Sequence, residues 1–278
     1  MWITFGTIVF AANDVIIKTL GRKIDPFELA FFRYVIGLVI MSPIFIRVGV
    51  AGLRTERLGL HVMRLVMACT AMIGVLVSVI NLPLATATSL SFSRILFTTF
   101  VAVLILKEFV SARRWTATAI GFVGVVIMVR PSADGVDTIA LIAIASAMTF
   151  AVANVLIRVL SRTEPPIRIL FYYHLGGSLV FVGPAIYMWV TPVGVEWALV
   201  GAIGLLTTIG MVAFVRGFAV GEASVIGPME YTRLIYAAVL GFLFFAEIPD
   251  PYTIMGALII VGATTFIARV EARAAVQT

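Results

Sequence analysis

FAANDVIIKTLGRKIDPFELAFFRYVIG, residues 10–37, returns without a gap as FAVANVLIRVLSRTEPPIRILFYYHLGG, residues 150–177. Phe10, Ala11, Val15, Ile17, Leu20, Arg22, Pro26, Phe31 and Gly37 recur as Phe150, Ala151, Val155, Ile157, Leu160, Arg162, Pro166, Phe171 and Gly177. Later in each half, Arg94 and Glu108 are spaced as Arg233 and Glu247 are. Chance matching of apolar helices is the competing explanation. The shared spacing of polar and proline positions argues for an internal duplication, with halves at 1–131 and 132–278.

The repeated segments are apolar, and so is the rest of the chain. Of 278 residues, 62% are hydrophobic and only 12% charged, with a mean hydropathy of +1.12. So few polar side chains cannot cover a soluble domain of this length, which places the chain among polytopic membrane proteins. A spanning helix needs roughly 20 apolar residues. Ten such runs are legible, at about 2–20, 26–47, 59–80, 83–106, 113–130, 138–159, 167–190, 197–214, 220–246 and 252–270. Breakers separate them, among them Asp25-Pro26, Asn81-Leu82-Pro83, Pro165-Pro166 and Pro249-Asp250-Pro251. The first run exceeds signal-peptide length and is expected to stay as a span. The expected fold is all-α, with ten transmembrane helices. Five spans per half is an odd number, so the second half sits upside down relative to the first. Inverted duplication of this kind places a substrate site near the bilayer midplane.

The net charge of +6 does not point to nucleic acid, because the cations lie in short loops between apolar runs. With a cytoplasmic N-terminus, the inner side holds Arg47, Arg54, Arg57, Lys107, Arg113, Arg114, Arg158, Arg162, Arg168, Arg216, Arg269 and Arg273. The outer side then holds Lys18, Arg22, Lys23 and Arg130. This bias puts both termini in the cytoplasm. The remaining cations, Arg33, Arg64, Arg94 and Arg233, fall inside spans.

LPLATATSLSFSRILFTTFVAVLILKEFVSARRWTATAIGFVGVVIMVRP (82–131) and GEASVIGPMEYTRLIYAAVLGFLFFAEIPDPYTIMGALIIVGA (221–263) resemble the EamA-type members of the drug/metabolite transporter superfamily. The shared features are a small-residue run entering the fourth helix, a glutamate at its end, and a tryptophan-to-glycine fifth helix. The resemblance covers essentially the whole chain. It implies ten helices, cytoplasmic termini, residence in the inner membrane and movement of small metabolites. Phe10, Asp14 and Lys18, with FFRY in helix two, are similar to bacterial members identified as S-adenosylmethionine or riboflavin carriers. Where many members have proline in mid-helix four, this chain has Arg94.

A charge at the centre of a span costs at least about 3 kcal/mol. Such a group is expected to face protein or water and to have a partner. At 1.5 Å per residue, Arg94 and Arg233 both fall near the midplane. Glu230, three residues before Arg233, shares its helix face and can neutralise either arginine, which leaves about one positive charge. Two readings follow. One is a structural salt bridge locking helix four to helix nine. The other is a recognition site, because guanidinium pairs bidentately with carboxylate or phosphate. Glu230 is also a candidate proton-coupling group. Ser91, Asn13 and Asn154 offer hydrogen bonds to a substrate; the plainer roles are a bond to the preceding turn for Ser91 and joining helices for the two asparagines. Tyr231 with Phe171-Tyr172-Tyr173 offers stacking faces, with core or interface packing as the plainer role. Asp14 and Arg33 lie at similar depth near the outside and are expected to pair, as a brace or an outer gate. Arg64 is expected to snorkel to the headgroups, His61 to be interfacial and His174 to be an ordinary satisfied helix residue.

No G-x-x-x-x-G-K-[ST], H-E-x-x-H or G-x-S-x-G occurs, and His61, His174 and Cys69 make no metal-ligand spacing. No cofactor is therefore expected. The chain reads as a secondary transporter of a small polar metabolite, amino-acid-like, carboxylated, or nucleotide- or vitamin-like, with protons as a candidate coupling ion and lipids as its surroundings. The rival reading is a membrane enzyme gripping a phosphorylated or lipid-linked substrate.

Overall fold

The structure, a computed structural model, describes residues 2–107, 110–130, 137–220 and 229–276. Ten α-helices run in chain order among them: α1 Trp2–Leu20, α2 Pro26–Leu53, α3 Leu58–Asn81, α4 Leu84–Val101, α5 Ala112–Val129, α6 Thr138–Leu160, α7 Pro166–Tyr187, α8 Val195–Val220, α9 Thr232–Phe245 and α10 Pro251–Val276. No strand occurs among the described residues. Eight of the helices are long and apolar enough to cross a membrane. The other two, α8 and α9, carry shorter apolar stretches, Val195–Met211 and Thr232–Phe245. The ninth expected span was longer; 221–228 and Glu108 lie outside the described residues, and Glu230 sits in a helical turn just before α9.

Local chemistry explains the boundaries. Asp25 caps α2 by accepting from the Phe27 amide, with Pro26 at the first helical position. Asp137 caps α6 in the same way through Ile139. Asp250 accepts from the Tyr252 and Thr253 amides to start α10. The helical geometry of α2 breaks at Gly49, whose φ of +70° is open to glycine at little cost. Helix α4 ends in a π turn, Ala102–Leu106, and then Lys107 in the left-handed region. Ala246, at the matching position after α9, has the same conformation.

Within lipid, helices associate through close packing and interhelical hydrogen bonds. The most extensive contacts join α5 to α10, α3 to α6, α1 to α8 and α2 to α7, and α4 lies against α6, α9, α10 and α5. Small residues permit these approaches. Gly177 on α7 makes room for the Tyr34 ring, and Ser146 on α6 donates to the Ala71 carbonyl on α3 at 3.0 Å. Gly121 and Gly124 face α4 and α10. A methyl at Gly124 would stand 2.8 Å from the Gly256 carbonyl oxygen and 3.0 Å from Ile259. Gly124→Ala is therefore expected to destabilise the protein by about 1–3 kcal/mol. Thermal unfolding in detergent measures this, and an unchanged midpoint would mean the helices separate without cost.

Candidate functional site

The centre of the bundle holds four charged side chains from α1, α4, α9 and the turn before α9. Arg233 Nη2 donates to Asp14 Oδ2 at 2.6 Å. Arg94 Nη2 lies 3.7 Å from Glu230 Oε2. The first pair is tight, and Asp14 is 4% exposed. The second is looser, and its side chains are 24% and 18% accessible. Each guanidinium also sits over an aromatic ring: Arg233 over Phe10 at 5.6 Å, Arg94 over Phe150 at 5.5 Å and Phe92 at 5.7 Å. Phe10 and Phe150 occupy matching places in the two similar segments, as do Asp14 and Asn154. Arg94 meets Asn154's segment where Arg233 meets Asp14's. With a neutral amide at that position, the nearest carboxylate for Arg94 is Glu230.

The expected partnership of Asp14 with Arg33 is corrected. Helix α1 packs mainly on α8, α9 and α3, so Asp14 faces Arg233 on α9. Arg33 is half-buried and makes no ion pair among the described residues. The charge count changes too. Two arginines meet two carboxylates, and the single uncompensated positive charge expected at the centre is not there.

The other expected site residues divide. Tyr231 is 8% exposed and packs edge-on against Phe92, with ring centroids 5.1 Å apart. Ser91 donates to the Thr88 carbonyl of its own helix at 2.7 Å. Asn154 is half-buried, with no side-chain hydrogen bond among the described residues. Asn13 donates to Thr207 at 3.4 Å and joins α1 to α8.

Sequence reasoning missed three polar ties. Lys18 is buried, donates to the Leu82 carbonyl at 2.5 Å and pairs with Glu247. Glu247 also accepts from the Leu84 amide at 2.8 Å, so one carboxylate joins the ends of α1, α4 and α9. The spacing of Asp14 and Lys18, one turn apart on one face, was the available signal. Arg64 does not snorkel. It is 6% exposed, with its guanidinium over Tyr173 at 4.9 Å and its Nη1 donating to the Ile169 carbonyl at 3.3 Å. His174 is not satisfied at Nδ1 among the described residues.

At the end of the bundle with the α2–α3 and α6–α7 links, Glu164 gathers several donors. His61, buried at 3% rather than interfacial, contacts its Oε2 through Nε2 at 2.7 Å, and Thr55 donates to Oε1. Burial alone would push the Glu164 carboxyl up. Hydrogen bonds from Thr55 and His61, with the charges of His61 and Arg168, outweigh it and hold the group below its ordinary value of 4.5. A carboxylate held low stabilises the fold above its unfolded pKa, and that contribution is lost as pH falls through the folded pKa. Glu164→Gln is therefore expected to be less stable than the parent at pH 7, with the gap narrowing below the ordinary carboxylate value. Unfolding midpoints measured against pH test this. Parallel curves for the two proteins would rule out a titrating contribution from Glu164.

The chain matches the model of the EamA-like transporter family over residues 1–130 and 137–269. It is 31% identical to the S-adenosylmethionine uptake transporter of Rickettsia prowazekii, over 96% of this chain and 90% of that one. It is 28% identical to the riboflavin transporter of Rhizobium johnstonii, over 98% and 91% of the two chains. A solved crystal structure superposes with a TM-score of 0.67 at 21% identity, over 98% of this chain and 96% of its own, which shows a shared fold. Apolar helices and family match together make this a multi-pass protein of the bacterial inner membrane. With both halves of its length matched and a charged centre enclosed by its helices, the chain belongs to the EamA-like transporter family.

Proposed function

We propose that the chain is a secondary carrier for a small metabolite of the S-adenosylmethionine class, bearing a zwitterionic amino-acid head, with Arg94 and Glu230 as its recognition pair. The observation that carries the proposal is the looseness of that pair. At 3.7 Å it is longer than a charge-assisted hydrogen bond, and both ends are accessible. A ligand with a carboxylate and a cationic centre exchanges one poor contact for two good ones: carboxylate on Arg94, cation on Glu230. The balanced charge count favours such a zwitterion over a simple anion. Phe150, half-buried beside Arg94, offers a face to a purine. The name of the Rickettsia relative supports this substrate class, and the family match favours a carrier over a membrane enzyme.

Transport proceeds by alternating access between two inverted halves. The packing pairs support that arrangement. Exchanging each helix for the one five places along converts α1–α8 into α3–α6 and leaves α2–α7, α4–α9 and α5–α10 unchanged. The bias of Lys and Arg supports cytoplasmic termini. Glu230 is the candidate proton acceptor once substrate has left, because the substrate's cationic centre and a proton compete for the same carboxylate.

Counterflow in proteoliposomes is the test. Vesicles preloaded with S-adenosylmethionine should take up the labelled compound faster than empty ones, and riboflavin, which lacks the amino-acid head, should not compete. Riboflavin exchange without S-adenosylmethionine exchange would overturn the role given to the pair.

A further inference from the structure

A groove of about 520 Å³ runs along the outer surface between α5 and α10, lined by Arg113, Thr116, Ile120, Ile259, Gly262 and Phe266. Its volume lies within the roughly 300–1,000 Å³ range of small-molecule sites. The two helices touch closely at Gly124 and Gly256, and a Cβ at Gly121 would stand 3.2 Å from Ala263; the groove lies beside this seam. A Cβ at Gly262 would meet no atom within 4 Å, so this glycine is not required for helix packing. Along the groove the walls are apolar and face the hydrocarbon, with Ile120 52% and Phe266 47% exposed. One end differs. Arg113 lies in the first turn of α5 and is exposed. Arg269, also exposed, stands one turn beyond Phe266 on the same face of α10, at the end of the apolar span Pro251–Val270. Neither has a carboxylate partner among the described residues. Trp115, 37% exposed and packed against Phe100, marks the same depth as a membrane interface.

We propose that this groove binds one anionic phospholipid, with an acyl chain along its apolar floor and the phosphate between Arg113 and Arg269. Lipid chains fill any groove open to the bilayer. What selects a lipid here is the pair of guanidiniums, one on each helix, at headgroup depth. Guanidinium forks match phosphate oxygens, and basic pockets between helices take anionic headgroups in other membrane proteins. A lipid lying across the two helices ties α5 to α10 along the outer side of their seam.

The purified full-length chain in neutral detergent supplies the test. Dioleoylphosphatidylglycerol should raise the unfolding midpoint by roughly 3–6 °C more than dioleoylphosphatidylcholine. Arg113→Gln with Arg269→Gln should erase the difference between the two lipids. Gly262→Leu, whose Cβ meets no atom within 4 Å and whose side chain enters the groove, should abolish the phosphatidylglycerol shift while leaving the lipid-free midpoint no lower. Equal shifts from both lipids, or a shift surviving in Gly262→Leu, would overturn the site. An equal shift from inorganic phosphate alone would reassign the arginines to a soluble anion. Disulfide cross-linking of Ile120→Cys between copies in native membranes would give the groove to a second copy of this chain, and would also overturn the lipid assignment.

Discussion

Arg94→Ala is expected to cut substrate counterflow between about thirtyfold and a few thousandfold, while the unfolding midpoint changes little. The size follows from truncating one member of a desolvated charge contact, roughly 2–5 kcal/mol at 1.4 kcal/mol per decade. The selectivity follows from geometry. Arg94 is 3.7 Å from Glu230, and its side chain is about one-quarter accessible, so its removal leaves Glu230 able to reach water. Little stability rests on so loose a pair. On the proposed reading, its role is to admit a substrate between the two charges. Arg94→Lys separates charge from shape: a point charge keeps the attraction but loses the bidentate fork, so intermediate counterflow is expected. Full activity in Arg94→Ala, measured in proteoliposomes with protein content matched, would remove the arginine from recognition.

Arg233→Ala should behave differently and lower stability by about 3–5 kcal/mol. Its partner Asp14 is 4% exposed and held at 2.6 Å. Truncation strands a buried carboxylate among α1, α8 and α9, and an uncompensated buried charge is the costly outcome. The double variant Asp14→Asn with Arg233→Met removes both charges and should recover most of the loss. Asn154, at the matching position of the other similar segment, already places a neutral amide there. Unfolding midpoints of the two single variants and the double decide this. Equal midpoints for Arg94→Ala and Arg233→Ala would abolish the division of labour between the arginines.

The two arginines were legible as a pair, but their different partners were not. Span depth adds up along a helix at 1.5 Å per residue, so Arg94, Arg233, Asp14 and Arg33 could each be placed in height. Depth says nothing about which helix stands alongside. Asp14 was expected nearer the outside, at the height of Arg33, yet α1 packs on α9 and Asp14 pairs with Arg233 instead. Arg64 illustrates the same gap from the other side. Five residues into a span, it has the reach to snorkel, but α7 brings the Tyr173 ring and the Ile169 carbonyl within its grasp, and burial wins. The Lys18–Glu247 tie needed a left-handed Ala246 to turn the chain back over α9, a backbone choice no composition reveals.

From the amino-acid order alone came the membrane class, the ten helices, their breaks and the family resemblance, because run length, breakers and similar segments are properties of the chain read in one dimension. The tertiary structure alone decided that Arg233 is locked to Asp14, that Arg94 holds Glu230 loosely, that Glu164 is ringed by donors, and that a groove runs between α5 and α10 beside Gly262. Each of these depends on the rotation of one helix about its axis relative to a neighbour distant in sequence. That rotation is set by the packing of the whole bundle and not by any single segment.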